Sequence, residues 1–307
     1  MSSFLQSSAW QKFQKALGRT TLTDSGKDWS YLAIKEPGTL NNRLYTPYGP
    51  VCTSPETFDT AVASLKKAAQ LQQTTFIRVE PLAGISPDQL RSRGFYHVKY
   101  QQLQPSHTQI IDLTQPKDDI LAQMSQNSRN ITRNYHKKGL VIRKSHQPDD
   151  ISILTSLLSQ IAVRNRITTH SDHYFQTQAN SLLPIKAATL YIAELDGTPI
   201  AAALVYDSSD TRIYAHAAAD DTYRKLSAGT ALVGQMILDA KDDGLSYFDL
   251  YGTTESNDPN HPWAGFTKFK KSFGGHPTTY LGAWDLPLKP LAYWTYRTYQ
   301  TIRRRLR

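Results

Sequence analysis

The chain has 307 residues, 39% hydrophobic and 20% charged, a composition that supports a globular protein with a sizeable core. No run of about 20 apolar residues is present, and MSSFLQSSAWQKFQK lacks the charged-then-apolar order of a secretory signal, so neither a span nor export is predicted. Cys52 is the only cysteine, which excludes a disulfide scaffold and favours the cytosol, while the net charge of +9 suits a partner rich in phosphate.

Trp10, Phe13 and Leu17 recur at helical spacing and predict a first helix that stops at Gly18. YLAIKE (31–36) and RLYTPYGPV (43–51) read as strands, the second running into Pro-Gly-Pro. SPETFDTAVASLKKAAQLQQ (54–73) opens with a capping signal and predicts a helix, TTFIRVEP (74–81) a strand, and SPDQLRSRGF (86–95) a short helix ended by Gly94. A second cycle begins with the strand QIIDL (109–113) and one long helix over 116–139. It continues with the strand LVIRKS (140–145) and helices over 149–167 and 173–184. Residues 188–219 predict two hairpins with Asp-Gly and Ser-Ser-Asp turns, followed by a helix over 228–244 and the strand YFDLYG (247–252).

Two helices, a meander and then strand, helix, strand is the order of the GNAT acyltransferase fold, and the first half resembles a truncated copy. The expected fold class is mixed α/β, with two GNAT-like domains in tandem. Residues 1–106, completed by the C-terminal segment 282–307, form the first, and residues 107–281 the second.

Chemistry-bearing patterns are few. His170 and His173 have no Cys or Glu to complete a metal set, and P-loop and nucleophile-elbow sequences are absent, so no metal or cofactor is expected. YRKLSAGTAL (223–232) is a partial match to a helix-start diphosphate loop, or an ordinary small-residue helix start. SRNITRNYHKKG (128–139) places Arg129, Arg133 and Lys137 at i, i+4 and i+8, either a solvated face or a contact surface for a phosphate backbone. In GFTKFKKSFGG (265–275), Phe266, Phe269 and Phe273 share one helical face and Lys268, Lys270 and Lys271 occupy its rim. Gly274 and Gly275 suit the helix stop. The face is either a solvated basic surface or one that turns a lysine into a cleft.

FLQSSAWQKFQKALG, YGPV, FIRVEP, IIDLT, SRNITRNYHKKGLVIR, FDLYG and GFTKFKKSFGG together resemble the FemABX peptidyltransferases, in that family's order and over nearly the whole chain. No heptad stretch is present, so the chain is similar to the short form without a coiled-coil arm. The resemblance implies an aminoacyl-tRNA-dependent transferase that adds amino acids to the stem peptide of a UDP-linked or lipid-linked peptidoglycan precursor.

It also implies site residues. The lysine of the family's final Phe-Lys pair matches Lys270, beside Phe269, where it stabilises developing negative charge. The basic residue four places after the first-helix Trp falls on Gln14, with Lys15 beside it. The acidic residue after the third strand matches Glu80, preceded by Arg78. A second basic position falls on His170, upstream of Tyr174 and Phe175, and an aromatic position of the meander on His216. Two family cations are thus replaced by Gln14 and His170.

The implied reaction is attack of an amine on an already activated ester. It requires alignment, proton uptake and an oxyanion partner, and Lys270 suits the last. No side chain stands out as a general base, a role left to the substrate or the tRNA. The alternatives are an acyl-CoA N-acyltransferase and a non-catalytic protein binding tRNA or a membrane surface. A monomer is expected. The tail LAYWTYRTYQTIRRRLR interleaves aromatics with arginines and suits packing on the first domain, peripheral contact with the inner membrane face, or tRNA.

Overall fold

The computed structural model describes residues 3–38, 42–98, 103–165 and 168–305. Arg166 and Ile167, at the end of the helix expected over 149–167, and Leu306 and Arg307 of the basic tail lie outside the described residues. In chain order the elements are α1 (Ser8–Ala16), β1 (Thr21–Gly26), β2 (Trp29–Glu36), β3 (Arg43–Thr46), β4 (Val51–Cys52), α2 (Pro55–Leu71), β5 (Phe76–Val79), α3 (Pro87–Ser92) and β6 (Tyr96–His97). There follow β7 (His107–Asp112), α4 (Lys117–Gln123), α5 (Gln126–Asn134), β8 (Leu140–Ser145), α6 (Ile151–Asn165), α7 (Asp172–Leu182), β9 (Ala188–Leu195), β10 (Thr198–Asp207) and β11 (Thr211–Ala219). The last are α8 (Ala228–Asp242), β12 (Tyr247–Asp249), α9 (Ala264–Lys271), β13 (His276–Thr279), β14 (Trp284–Pro287) and α10 (Pro290–Arg305).

The chain divides into two compact units. One comprises Leu5–Ser106 and Thr279–Arg307, the other Met1–Phe4 and His107–Thr278. In the first, the sheet runs β1-β2-β3-β5-β14-β6, with β4 beside β2. Helix α2 starts where Ser54 and Thr57 cap each other reciprocally. Its apolar side, Phe58, Ala61, Leu65 and Ala69, packs on Ala33, Leu44, Ile77 and Val79. The aromatic side of α10 packs inward: Tyr293 and Tyr296 stand 5.2 and 5.5 Å from the Phe76 ring. Leu291, Trp294, Tyr299 and Ile302 face outward.

In the second unit the sheet runs β13-β7-β12-β11-β10-β9-β8, with β11 and β12 parallel. Strands β9 and β10 are covered on both faces, which is why they read as nearly unbroken apolar runs and not as an alternation. Asp196 and Gly197, both at positive φ, make the tight turn between them. A bulge between Leu204 and Val205 pairs those residues with His216 and Tyr214, leaving Ala215 as the extra residue of β11.

The single helix expected over 116–139 is three pieces. Met124 is extended at ψ 147, Ser125 caps α5 by accepting from the Ser128 N–H, and Tyr135–Lys138 is a 3-10 turn closed by Gly139 at φ 76. The break is built in: the Ser125 N–H donates to the Ser272 carbonyl at 2.8 Å, a partner that a continuous helix would deny it.

One buried ion pair holds the first unit's sheet. Arg78 on β5 lies directly opposite Asp285 on β14, both side chains with 0% exposure, and donates twice, at 2.7 and 2.9 Å. Tyr293 of α10 also donates to Asp285, at 3.2 Å. Asp285→Asn is expected to strand a buried guanidinium and to cost roughly 3–5 kcal/mol, whereas the double change Arg78→Met, Asp285→Leu costs markedly less. Urea unfolding of both variants checks this; equal losses would count against the pair as the lock of this sheet.

Candidate functional site

Helix α9 does not bury the three phenylalanines that its spacing suggested. Phe266 is 61% exposed, Phe269 is half-buried, and Phe273, beyond the helix end, is fully buried and meets Phe269 edge-on at 5.2 Å. The helix ends at Lys271, so Phe273 falls outside it and the three rings do not share one helical face, and Gly274 and Gly275 at positive φ turn the chain away. The inward positions are Thr267, whose hydroxyl accepts the Thr254 N–H at 3.0 Å, and Lys270. Lys268 and Lys271 point outward.

The Lys270 ammonium donates to the carbonyls of Tyr251 and Gly252 at 2.6 and 2.8 Å and lies 6.0 Å from the Tyr214 ring centre. Its third N–H has no acceptor among the described residues. Those carbonyls belong to a turn at the end of β12, with Tyr251 at φ 56 and Gly252 at φ 31. Asp249 opens the turn: its Oδ1 accepts the Tyr251 N–H at 2.7 Å and the Thr108 hydroxyl of β7. Burial pushes the Lys270 ammonium down to about 8, against the pull of the Asp249 charge. Burial pushes the Asp249 carboxyl up to about 6, opposed by the Thr108 hydroxyl, the Tyr251 N–H and Lys270. At neutral pH the site holds a charged ammonium in a protected place, where it acts strongly on nearby negative charge. Asp249 and Tyr214 were missed from sequence; the available signal was a carboxylate closing the apolar FDL run.

A second cluster in this unit joins His170, Tyr174 and His216. His170 stacks on Tyr174 at 4.0 Å and meets His216 edge-on at 6.0 Å; Phe175 stands 5.0 Å from His216. Burial, with a smaller contribution from His170, pushes His216 down to about 3, so its ring is neutral at ordinary pH. The rings form an aromatic surface with hydrogen-bonding edges.

The basic face predicted along one helix is broken. Arg129 and Arg133 are on α5, but Lys137 sits in the following 3-10 turn, whose tighter winding moves it off their line. Another neighbour joins it: the Lys138 ammonium donates to the carbonyls of Lys225 and Leu226, at 3.4 Å each, bringing Arg224 and Lys225 beside the turn. Arg133, Lys137, Lys138, Arg224 and Lys225 are exposed, whereas Arg129 is half-buried and donates to the Ala122 carbonyl at 3.3 Å. Arg133 has one loose partner, Asp118 at 3.7 Å.

The remaining predicted residues are in the first unit. Gln14 is 1% exposed, and its Oε1 accepts from the Arg19 guanidinium at 2.8 Å, so Arg19 brings a cation to position 14 while Lys15 points outward. Arg78, expected to bind substrate, is fully enclosed and committed to Asp285, which makes it a residue of the fold. Glu80 is 3% exposed and accepts the Tyr45 hydroxyl. Burial pushes its carboxyl up to about 7, opposed by the Tyr45 hydroxyl, the Arg78 charge and the backbone of Tyr48 and Gln104.

A carboxyl raised in the folded state holds its proton longer than in the unfolded chain, so its contribution to stability is present at low pH and declines as pH rises from about 4.5 through 7. Glu80→Gln is therefore expected to raise the thermal midpoint at pH 8 and leave it nearly unchanged at pH 4.5. Melting curves at the two pH values check this, and a lower midpoint at pH 8 would show that the charged form is the one the fold favours.

No helix among the described residues is long and apolar enough to cross a membrane. No curated protein sequence matches the chain. Among solved structures, FemX is similar over 96% of this chain and 94% of its own, at 17% identity and a TM-score of 0.85. L-PGS from Bacillus licheniformis is similar over 96% of this chain and 94% of its own, at 12% identity and a TM-score of 0.62. A tandem GNAT protein from the clavulanic acid biosynthesis pathway is similar over 86% of this chain and 81% of its own, at 13% identity and a TM-score of 0.50. These likenesses establish a shared fold, two GNAT-like domains in tandem. The sequence itself matches the FemAB family profile over residues 88–198 and 185–301, more than half of its length. The chain belongs to the FemAB family, whose members are aminoacyltransferases of peptidoglycan bridge synthesis.

Proposed function

We propose that this transferase takes its amino acid from an aminoacyl-tRNA and adds it to the stem peptide of a UDP-linked or lipid-linked precursor, with Lys270 stabilising the oxyanion. The observation that carries the reading is the Lys270 ammonium, fixed by two carbonyls and left with one N–H to give. As the acceptor amine attacks the aminoacyl ester, the carbonyl oxygen takes up negative charge. A preset cation stabilises that charge without reorganising at the moment of reaction. The amine's proton leaves through substrate or tRNA groups.

His170, Tyr174 and His216 offer the acceptor an aromatic surface. Phe269 braces Lys270 through its contact with Phe273. The RNA backbone lies along Arg129, Arg133 and Lys137, extended by Lys138, Arg224 and Lys225. The outward side of α10, with Leu291, Trp294 and Ile302, provides peripheral contact with the inner membrane face. The enzyme works as a monomer.

The acyl-CoA reading has one observation in its favour: α8 begins at Ser227 in the left-handed region with no side-chain cap, leaving backbone N–H groups for an anion. Transfer of labelled amino acids from a charged tRNA mixture to UDP-linked and lipid-linked precursors, run beside acetyl-CoA, separates the two. Transfer from acetyl-CoA alone would replace the tRNA reading.

Lys270→Ala is expected to lower turnover about 100-fold or more while precursor affinity holds, the signature of an interaction made in the transition state. Steady-state kinetics with a calorimetric binding curve read both quantities, and near-normal turnover removes the assigned role. Charge reversal at Arg129, Arg133 and Lys137 is expected to weaken tRNA binding and reduce the log–log salt slope by about 0.7–0.9 for each phosphate no longer neutralised. Fluorescence anisotropy across a salt series measures the slope; an unchanged slope marks the surface as merely solvated.

A further inference from the structure

We infer that Asp249 is a positioning residue for the transfer reaction: it folds the turn whose two carbonyls grip Lys270, and its carboxylate faces the gripped ammonium. This rests on the reading of Lys270 given above and adds a residue to it.

The geometry has three parts. Asp249 ends β12, where its main chain is fixed between β7 and β11 by pairing with Ile110 and Ile213. Its side chain then bends the chain, because Oδ1 captures the N–H two residues on, at 2.7 Å, and holds Tyr251 at a positive φ that a tyrosine rarely adopts. The flanking backbone is pinned as well: Leu250 N–H donates to the Gln109 carbonyl at 2.9 Å and Thr253 N–H to the His107 carbonyl at 2.8 Å. The Tyr251 and Gly252 carbonyls consequently converge on one point, and Lys270 fills it. Without the Asp249 acceptor, the flanking pins at Leu250 and Thr253 remain, but the side-chain bond that holds Tyr251 at positive φ is lost.

The second contribution is charge. A buried ammonium loses its proton more readily than an exposed one, and a neutral amine is a poor partner for an oxyanion. Asp249 is the carboxylate that opposes this loss. The other charged or titratable groups on the elements around Lys270 are Arg212, Tyr214 and His216 on β11, His107 (paired with Glu255 at 3.1 Å) and Asp112 on β7, Tyr247 on β12, Tyr251 in the turn, and the outward Lys268 and Lys271 on α9. The Thr108 hydroxyl donates to Asp249 and favours its ionised form.

The test uses the full chain with 13C-labelled lysine and follows the Lys270 Cε resonance with pH beside turnover. In the wild type it is expected to titrate at about 8, with a smaller step at about 6 as Asp249 titrates. Asp249→Asn is expected to move the Lys270 midpoint below that of the wild type and to shift the alkaline fall in turnover to lower pH in parallel. Thr108→Val keeps the carboxyl but removes its hydroxyl donor, and is expected to move the smaller step upward; it carries the test if Asp249→Asn does not fold. A Lys270 midpoint unmoved in Asp249→Asn, or a step unmoved in Thr108→Val, overturns the proposal whatever the turnover. Undiminished turnover in Lys270→Ala overturns the oxyanion reading instead, and the reaction role of Asp249 with it.

Discussion

A lysine ammonium drawn into a protein must find oxygen atoms to replace water, and everything at the end of β12 follows from that requirement. Two carbonyls meet it, which requires a turn with two consecutive residues at positive φ. The turn in turn requires a side-chain acceptor two residues back, and Asp249 supplies it. Helix α9 is short because its role is to deliver Lys270 and Thr267 to this turn, and the two glycines after it return the chain to the sheet edge as β13.

Two buried charges of this protein are treated in opposite ways. Arg78 and Asp285 satisfy one another through two parallel hydrogen bonds, and Tyr293 adds a third to Asp285; that arrangement is finished and serves the fold. Lys270 and Asp249 do not bond directly in this manner. Their attraction acts through space and through a backbone turn, and the ammonium keeps an N–H that has no acceptor among the described residues. A charge completely neutralised by its partner is of little use to a substrate, whereas one held by weak neutral acceptors keeps most of its field.

Much of the fold was legible. Helix α2 announced itself through Ser54, Pro55 and a clean apolar stripe, and the β9–β10 hairpin through Asp196-Gly197 between apolar runs. The break after Met124 was not legible, because the residues of 116–139 favour helix locally and the interruption comes from Ser272, far along the chain. Strand β14 was passed over because its inner residues, Trp284 to Leu286, include an aspartate that only a distant Arg78 makes tolerable. At the site, Lys270 was found through the run of phenylalanines and lysines around it, yet that same pattern wrongly placed Phe266 inside. Asp249 was invisible as a site residue because its partners are backbone atoms, and backbone carries no letter in the sequence.

The connectivity of the first unit has a consequence for its synthesis. Strand β14 lies between β5 and β6, in the interior of its sheet, although it is separated from β6 by the entire second unit. A ribosome delivers it only after His107–Thr278 have emerged and been free to fold. Until then β5 and β6 have no neighbour to join them, and Arg78 waits with its guanidinium uncompensated. Of the two units, the one that begins to emerge earlier is thus the later to close, and a nascent chain arrested before β14 exposes two open strand edges to whatever chaperone or aggregate meets them first.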